Sequence, residues 1–332
     1  MSRLPLVSVV VATFNRGYIV CEAIDSIIQQ TYPNIEVIVV DDGSVDNTKE
    51  KLRPYGDRVR VLHQENSGPS AARNTGICAA HGSIICFLDS DDVYLPTYVA
   101  RHVAVLERAG ENVPCSLCNA RACFVSGLDA CSFEIAQLHP SIPEGIWNNV
   151  LDIYATRWVM CAQMLAVRRD VLERIGMFDP ALRYNEDLDL AMKLALEGPW
   201  GFITEPLVLF RQSSRGDSLS LSVSRHDPAY SAGILAILQR TTAEIERRGI
   251  LRPSRYLANA IRRSQRELWA LQLDTETFDS KRLLARAALA LNHYGAALHR
   301  RSPWYPKMKV SALSELELEA PTPQLDWFKH SS

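Results

Sequence analysis

Three short segments limit what this chain can fold into more than anything else in it. VSVVVATF (Val7 to Phe14), IEVIVVDD (Ile35 to Asp42) and SIICFLD (Ser83 to Asp89) are apolar almost throughout and show no period-two alternation. A strand with one wet face alternates; a strand apolar on both faces is covered on both sides. RVRVLH supplies a further strand. Between the strands lie a helical stretch at about 19–30, a short helix to about Leu52 that Asp46 can cap, and the Ala-rich SAARNTGICAAHG. Strands alternating with helices predict an α/β fold: a doubly wound, mostly parallel central sheet flanked by helices. Ligands of such sheets sit beyond the carboxyl ends of the strands. Those ends read TFNR, DDGS, HQENSG and DSDD, so four polar stretches should share one rim.

Residues 126–226 are less regular. NEDLDLAMKLALEG reads as a helix crowded with acids in its first turn and stopped by Gly198. From about Pro228 the pattern turns helical, with segments to Arg248, from Pro253 to Leu273 and from Ser280 to Tyr294. The expected organisation is a first domain over 1–226, an α-helical C-terminal region over 227–305 and a loosely ordered tail over 306–332. With 47% hydrophobic residues in a chain of 332, the core can be sizeable. The net charge of −2 hides an asymmetry: residues 240–309 carry 15 Lys/Arg against 6 Asp/Glu. The remainder is acidic and does not suit nucleic acid.

No run of about 18 uncharged apolar residues is present and the N-terminus lacks a cleavable leader pattern, so the expectation is a cytoplasmic protein with free thiols. Cys115, Cys118, Cys123 and Cys131 share only one C-x-x-C spacing, and they read as buried small hydrophobes rather than zinc ligands.

Two clusters can carry chemistry. Asp89 and Asp91, at i and i+2 after a strand, can share a divalent cation through oxygen ligands, as Mg2+ or Mn2+ prefers. A bare D-x-D can equally be a solvated acidic turn. Asn185, Glu186 and Asp187 open a helix, where acids also simply complement the helix dipole.

ATFNR, VVDDGSVDNT, NSGPSAARNTGI, FLDSDD and NEDLDLAMKLA occur in order and together resemble the family 2 glycosyltransferases, whose fold is the GT-A type. The resemblance covers roughly residues 5–215. It implies an inverting enzyme that moves a sugar from a nucleotide-diphosphate donor, most simply a UDP-sugar, to a hydroxyl of a polysaccharide or lipid-linked oligosaccharide. It implies a nucleotide pocket of Thr13, Phe14, Asn15, Asp42, Arg73, Asp89 and Ser90, with Asp41 either in the pocket or orienting its loop. It implies a cation, Mn2+ or Mg2+, on Asp89 and Asp91, Asp187 as general base, and Glu186 against the sugar or acceptor. Asp189 reads as structural.

The family often carries a His in a YRxHxxSxS-like stretch. Here LFRQSSRGDSLS puts Ser213 or Ser214 at that place, with Arg211 and Arg215 able to meet diphosphate charge instead; the lone His226 nearby reads as surface or core. Arg262, Arg263, Arg266, Arg282 and Arg286, with Trp269 and Trp304, suit a peripheral membrane contact, or equally a solvated face or an oligomer contact. A sugar nucleotidyltransferase would want a Gly-rich first loop, and TFNRGYIV has one Gly. A non-catalytic nucleotide-sugar-binding or scaffold subunit would tolerate loss of Asp187, Asp89 or Asp91, all of which are present.

Overall fold

The computed structural model describes residues 4–123, 129–157, 161–182, 184–211, 228–250, 255–275 and 310–311. The readings at Ser213, Ser214, Arg215, His226, Arg282, Arg286, Trp304 and the 280–294 helix lie outside the described residues. The boundary expected at 226 and nearly all of the 306–332 tail do so too.

Strands β1 (Val7–Thr13), β2 (Ile35–Asp41), β3 (Arg60–His63) and β4 (Ile84–Asp89) form a parallel sheet in the order β3-β2-β1-β4. Val7, Val9, Val10 and Val11 are all fully buried, as an unalternating strand requires. Helices α1 (Val20–Ile28), α2 (Thr48–Leu52) and α3 (Pro69–Ala79) make the crossovers, and α3 packs on β1 and β2. The cap of α2 is Asn47, while Asp46 accepts from the Thr48 amide at 3.0 Å. Beyond β4 come β5 (Val93–Tyr94), α4 (Tyr98–Ala109), β6 (Cys115–Cys123), β7 (Asp129–Cys131), α5 (Ser132–Ile135), β8 (Glu144–Trp147), α6 (Val150–Thr156), β9 (Leu165–Arg168), α7 (Arg169–Ile175), α8 (Glu186–Ala195) and β10 (Trp200–Arg211).

VMCAQMLAVRRDVLERIGMFDP reads as an apolar strand, a short helix and a turn, and β9 and α7 fall there; the order of the remaining strands was not legible in advance. Strand β9 inserts antiparallel between β4 and β6, and β10 then runs parallel to β6. β3, β2, β1, β4, β6 and β10 therefore all point the same way, with β8 and β9 opposed. Cys115 and Cys118 are fully buried on β6 and take their place in the apolar core. The C-terminal helices α9 (Pro228–Arg247) and α10 (Arg255–Thr275) pack on each other; α9 also rests on α8, and α10 on α6. A short strand, β11 (Val310–Ser311), pairs with β8. No helix among the described residues is long and apolar enough to cross a membrane.

The register decides where chemistry can happen. Thr13 sits beside Asp41, Asp41 beside His63, and Ala12 beside Asp89. The ends of four parallel strands thus share one rim, and Arg211 at the end of β10 joins it.

Gly76 lets α3 lie close on β1: a Cβ there would stand 2.3 Å from Val10 Cγ1, deep in the core. Gly76→Ala is expected to destabilise the fold by about 1–3 kcal/mol in chemical denaturation, because neither backbone can retreat from the overlap.

Candidate functional site

The rim is built from two walls and a charged floor. One wall ties the β1 loop to the β2 loop. The Asn15 amide donates to Ser44 Oγ at 2.8 Å, and Asn15 Oδ1 accepts from Val45 N at 2.9 Å. The Arg16 and Gly17 amides donate to Thr48 Oγ1 and Asp46 Oδ2, each at 3.1 Å. Asn15 takes the left-handed region at φ 53°, which Asn tolerates better than most residues. Phe14 stands 42% exposed on this loop, an aromatic face open to a flat ligand. Thr13 Oγ1 is buried without a hydrogen-bond partner.

The two aspartates of DDGS do different work. Asp41 accepts from the Ser44 amide at 3.0 Å and pairs with His63 Nδ1 at 3.2 Å. Asp42 holds the next loop, accepting from Gln64 Nε2 at 2.7 Å, Ser67 N at 2.9 Å and Gly68 N at 2.8 Å. A carboxylate offers about four acceptor positions, so these three bonds leave Asp42 with one.

The floor centres on Arg73, on α3 and only 5% exposed. Its Nη2 donates to Asp89 Oδ1 at 2.7 Å, its Nη1 lies 3.4 Å from Glu186 Oε1, and its guanidinium stacks over the Phe178 ring at 5.3 Å. Burial would lower its pKa, yet Asp89, Asp187 and Glu186 together raise it above the usual arginine value. One cation therefore joins the β4 turn to the start of α8.

Behind Asp89 the turn is pinned. Buried Asp92 accepts from Gln163 Nε2 at 2.5 Å and from the Arg211 amide at 2.8 Å, while Arg211 Nε donates to the Asp91 carbonyl at 2.7 Å. Ser90 is buried in the same turn. Burial and the charge of Asp89 push Asp91 upward, partly offset by Arg16, whose Nη2 stands 3.9 Å away.

Two further enclosed acids here have their charged form disfavoured: Asp92, by burial and then the charges of Asp89 and Asp91, and Asp187. Asp187 Oδ1 is buried with no hydrogen-bond partner. Burial, Glu186 and Asp89 raise its pKa to about 8, against the opposing pull of Arg73 and the Ala162 amide. Cys161 and Tyr154 lie near enough that its charge raises their own pKa values, after the larger effect of burial. Asp189 faces away, paired with Lys193 at 2.8 Å and Arg240 at 2.6 Å.

The sequence-predicted residues therefore fall into two groups. Arg73, Asp89, Glu186 and Asp187 converge on one charged centre, with Ser90 and Asp91 in the adjoining turn. Thr13, Phe14, Asn15 and Asp42 line the neighbouring loops. Sequence reasoning missed Gln163, whose only signal is a lone amide in the apolar VMCAQMLAV, and Asn74, which exchanges hydrogen bonds with both the amide and carbonyl of Phe178. A surface cleft of about 390 Å3 lined by residues 148–152 and 195–199 lies toward the far end of α8 and contains none of them.

As a cation site, Asp89 and Asp91 offer the right oxygen donors, and burial followed by the charge of Asp89 disfavours the charged form of Asp91. No group of three His, Cys, Asp or Glu that could hold a metal is found among the described residues. The pair fits a Mg2+ or Mn2+ ion that takes the rest of its shell from water and substrate.

The family model described as Glycosyl transferase family 2 matches residues 8–126. An uncharacterized glycosyltransferase of Rickettsia felis is 28% identical over 246 residues, which is 72% of this chain and 39% of that protein. Glycosyltransferase GlyG of Streptococcus pneumoniae is 31% identical over 221 residues, 63% of this chain and 71% of GlyG. The chain spans between about a third and three-fifths of the length of the Rickettsia relatives it matches. Among solved structures, S. aureus TarS 1-349 in complex with UDP-GlcNAc superposes with a TM-score of 0.59 at 19% identity, over 82% of this chain and 73% of that one. Mannosyltransferase PcManGT from Pyrobaculum calidifontis, in complex with GDP-Man and Mn2+, gives 0.52 at 23% identity, over 91% and 82%. At such identities the likeness is one of fold.

The folded-state pKa of Asp187 stands above its usual value of 3.8, so the charged form is disfavoured in the folded protein. Stability from this group is therefore present at low pH and lost as pH rises through about 8. Asp187→Asn removes the buried charge. Its Tm is expected to exceed that of the wild type by a margin that grows between about pH 5 and about pH 9, read by calorimetry.

Proposed function

Because the chain belongs to glycosyl transferase family 2, we propose that it is an inverting glycosyltransferase acting on a nucleotide-diphosphate sugar. The observation that carries this reading is Asp187, whose Oδ1 is buried without a partner, whose pKa is raised to about 8, and whose charge lies within range of Arg73, the arginine that pairs with Asp89. A general base works best with a pKa near the working pH, and a free oxygen is what a proton-accepting carboxylate needs.

In this mechanism the loops of Thr13, Phe14, Asn15 and Asp42 seat the nucleoside. Phe14 offers a face for stacking, and the remaining acceptor of Asp42 takes a base N–H. Asp89 and Ser90 meet the ribose. Asp89 and Asp91 would hold the divalent cation, which when bound supplies charge neutralisation for the leaving diphosphate. Asp187 takes the proton of an acceptor hydroxyl as that oxygen bonds to the anomeric carbon. The bond from that carbon to the diphosphate oxygen breaks, and its electron pair leaves with the diphosphate. One displacement inverts the configuration, so no second carboxylate has to act as nucleophile. Glu186 stays beside Arg73 and faces sugar or acceptor.

UDP-GlcNAc in the TarS complex and GDP-Man with Mn2+ in the PcManGT complex support a nucleotide-sugar donor and a divalent cation. A UDP-sugar is the donor we favour, and the acceptor is a hydroxyl of a glycan or lipid-linked glycan. Calorimetric titration of UDP and GDP, each with and without Mn2+, tests the pocket. UDP is expected to bind with Mn2+ and to lose the gain from Mn2+ in Asp91→Ala; absence of binding by any nucleotide to folded protein would overturn the reading. The pH dependence tests the base. Turnover at low donor concentration should rise with pH to a limb near 8. Glu186→Gln removes a like charge that raises Asp187, so the limb should move to lower pH.

A further inference from the structure

The acids that open α8 ride on a segment held from two sides. On the donor side, Asn74 clamps Phe178 by Nδ2 to the carbonyl at 2.9 Å and Oδ1 from the amide at 3.1 Å, and Arg73 reaches Glu186. On the opposite side stands α9. Its Arg240 donates from Nη1 to Asp179 Oδ2 at 2.9 Å and from Nη2 to Asp189 Oδ1 at 2.6 Å. These two aspartates bracket residues 180–188. One guanidinium therefore spans the stretch that contains Asn185, Glu186 and Asp187.

The first turns of α9 press on the same stretch. Asn185, buried and left-handed at φ 66°, donates from Nδ2 to the Tyr230 carbonyl at 3.1 Å. A Cβ at Gly233 would stand 3.2 Å from that nitrogen, so the helix backbone lies directly against it.

An ordinary surface ion pair does little, and Arg240 is itself 51% exposed. Two features set this one apart. Asp189 is only 4% exposed, so its charge needs partners, and Lys193 alone supplies the other. The two bonds also come from one rigid, planar group, which fixes the separation of Asp179 and Asp189. Asp179 is held below its usual carboxylate value first of all by its hydrogen bond from Arg240.

We infer that Arg240 is a positioning residue for the transfer reaction: by bridging Asp179 and Asp189 it sets where the start of α8 presents Asp187. Helix α9 is then a working part of the site. The inference rests on the reading of Asp187 as the base.

The test uses the full chain as wild type, Arg240→Ala, Arg240→Lys, Asp179→Asn and Asp187→Asn. It reads nucleotide release from the sugar nucleotide that is turned over, calorimetric binding of UDP with Mn2+, and amide hydrogen exchange. Arg240→Ala should lower kcat by about 10- to 100-fold, the scale on which a displacement of about 1 Å acts. KM for the donor and UDP affinity should stay within about twofold, and exchange should quicken over 179–189 but not in β1 or α3. Arg240→Lys, with one donor head in place of a fork, should fall between wild type and Arg240→Ala. Asp179→Asn should show the same pattern more weakly, and it stands in if Arg240→Ala does not fold. Wild-type kcat in Arg240→Ala beside an inactive Asp187→Asn overturns the inference and leaves the proposed function standing. Equal losses of kcat and UDP affinity, with exchange raised throughout, also overturn it, because they describe general loosening. An active Asp187→Asn overturns the reading of the base, and this inference falls with it.

Discussion

The site depends on one buried cation. Arg73 stands between the turn after β4 and the start of α8, and without it Asp89, Glu186 and Asp187 would face each other with little to offset their repulsion. Removing one partner of a buried charge pair costs about 3–5 kcal/mol, so the arginine stabilises the fold as well as the geometry. The compensation is incomplete. Arg73 reaches Asp89 closely and Glu186 at longer range, and Asp187 remains without a hydrogen bond on Oδ1. The same arrangement that holds the acids together thus leaves the charged form of Asp187 disfavoured. Under the proposed reading of Asp187 as the base, function and stability pull in opposite directions there.

Around that centre the structure separates groups with open hydrogen-bonding capacity from groups whose bonds brace the loops. Asp92, one residue from Asp91, is buried and bound by Gln163 and the Arg211 amide. Its role is to hold the turn. Asp41 and Asp42 divide similarly: Asp41 secures Ser44 and His63, while Asp42 braces the Gln64–Gly68 loop and retains one acceptor position. Neighbouring residues of identical type therefore serve different ends, decided by which way each side chain leaves the backbone at the end of its strand.

Much of the first half was legible in advance because its signals are local. The apolar runs at Val7, Ile35 and Ile84 mark covered strands, and covered strands joined by helices run parallel. Parallel strands end on one rim, so the acids of DDGS and FLDSDD had to meet there. The second half was less legible. Strand β9 enters between β4 and β6 from residues 165–168, and no local pattern tells a four-residue strand which neighbours it will take. The partners of the site were hidden for the same reason. Glu186 is 113 residues from Arg73, Gln163 is 71 from Asp92, and Arg211 is 119 from Asp92.

By itself, then, the sequence determined the layered α/β plan, the rim and the identity of the acids, because periodicity and strand-end chemistry are properties of short stretches. Tertiary structure decided which acids are paired, which are enclosed, and that the C-terminal helices reach the segment bearing Asp187. Those outcomes depend on sums of charge and burial over groups far apart in the chain. The pKa of Asp187 is such a sum: enclosure, Glu186 and Asp89 raise it, Arg73 lowers it, and only the folded chain brings them within range of one another.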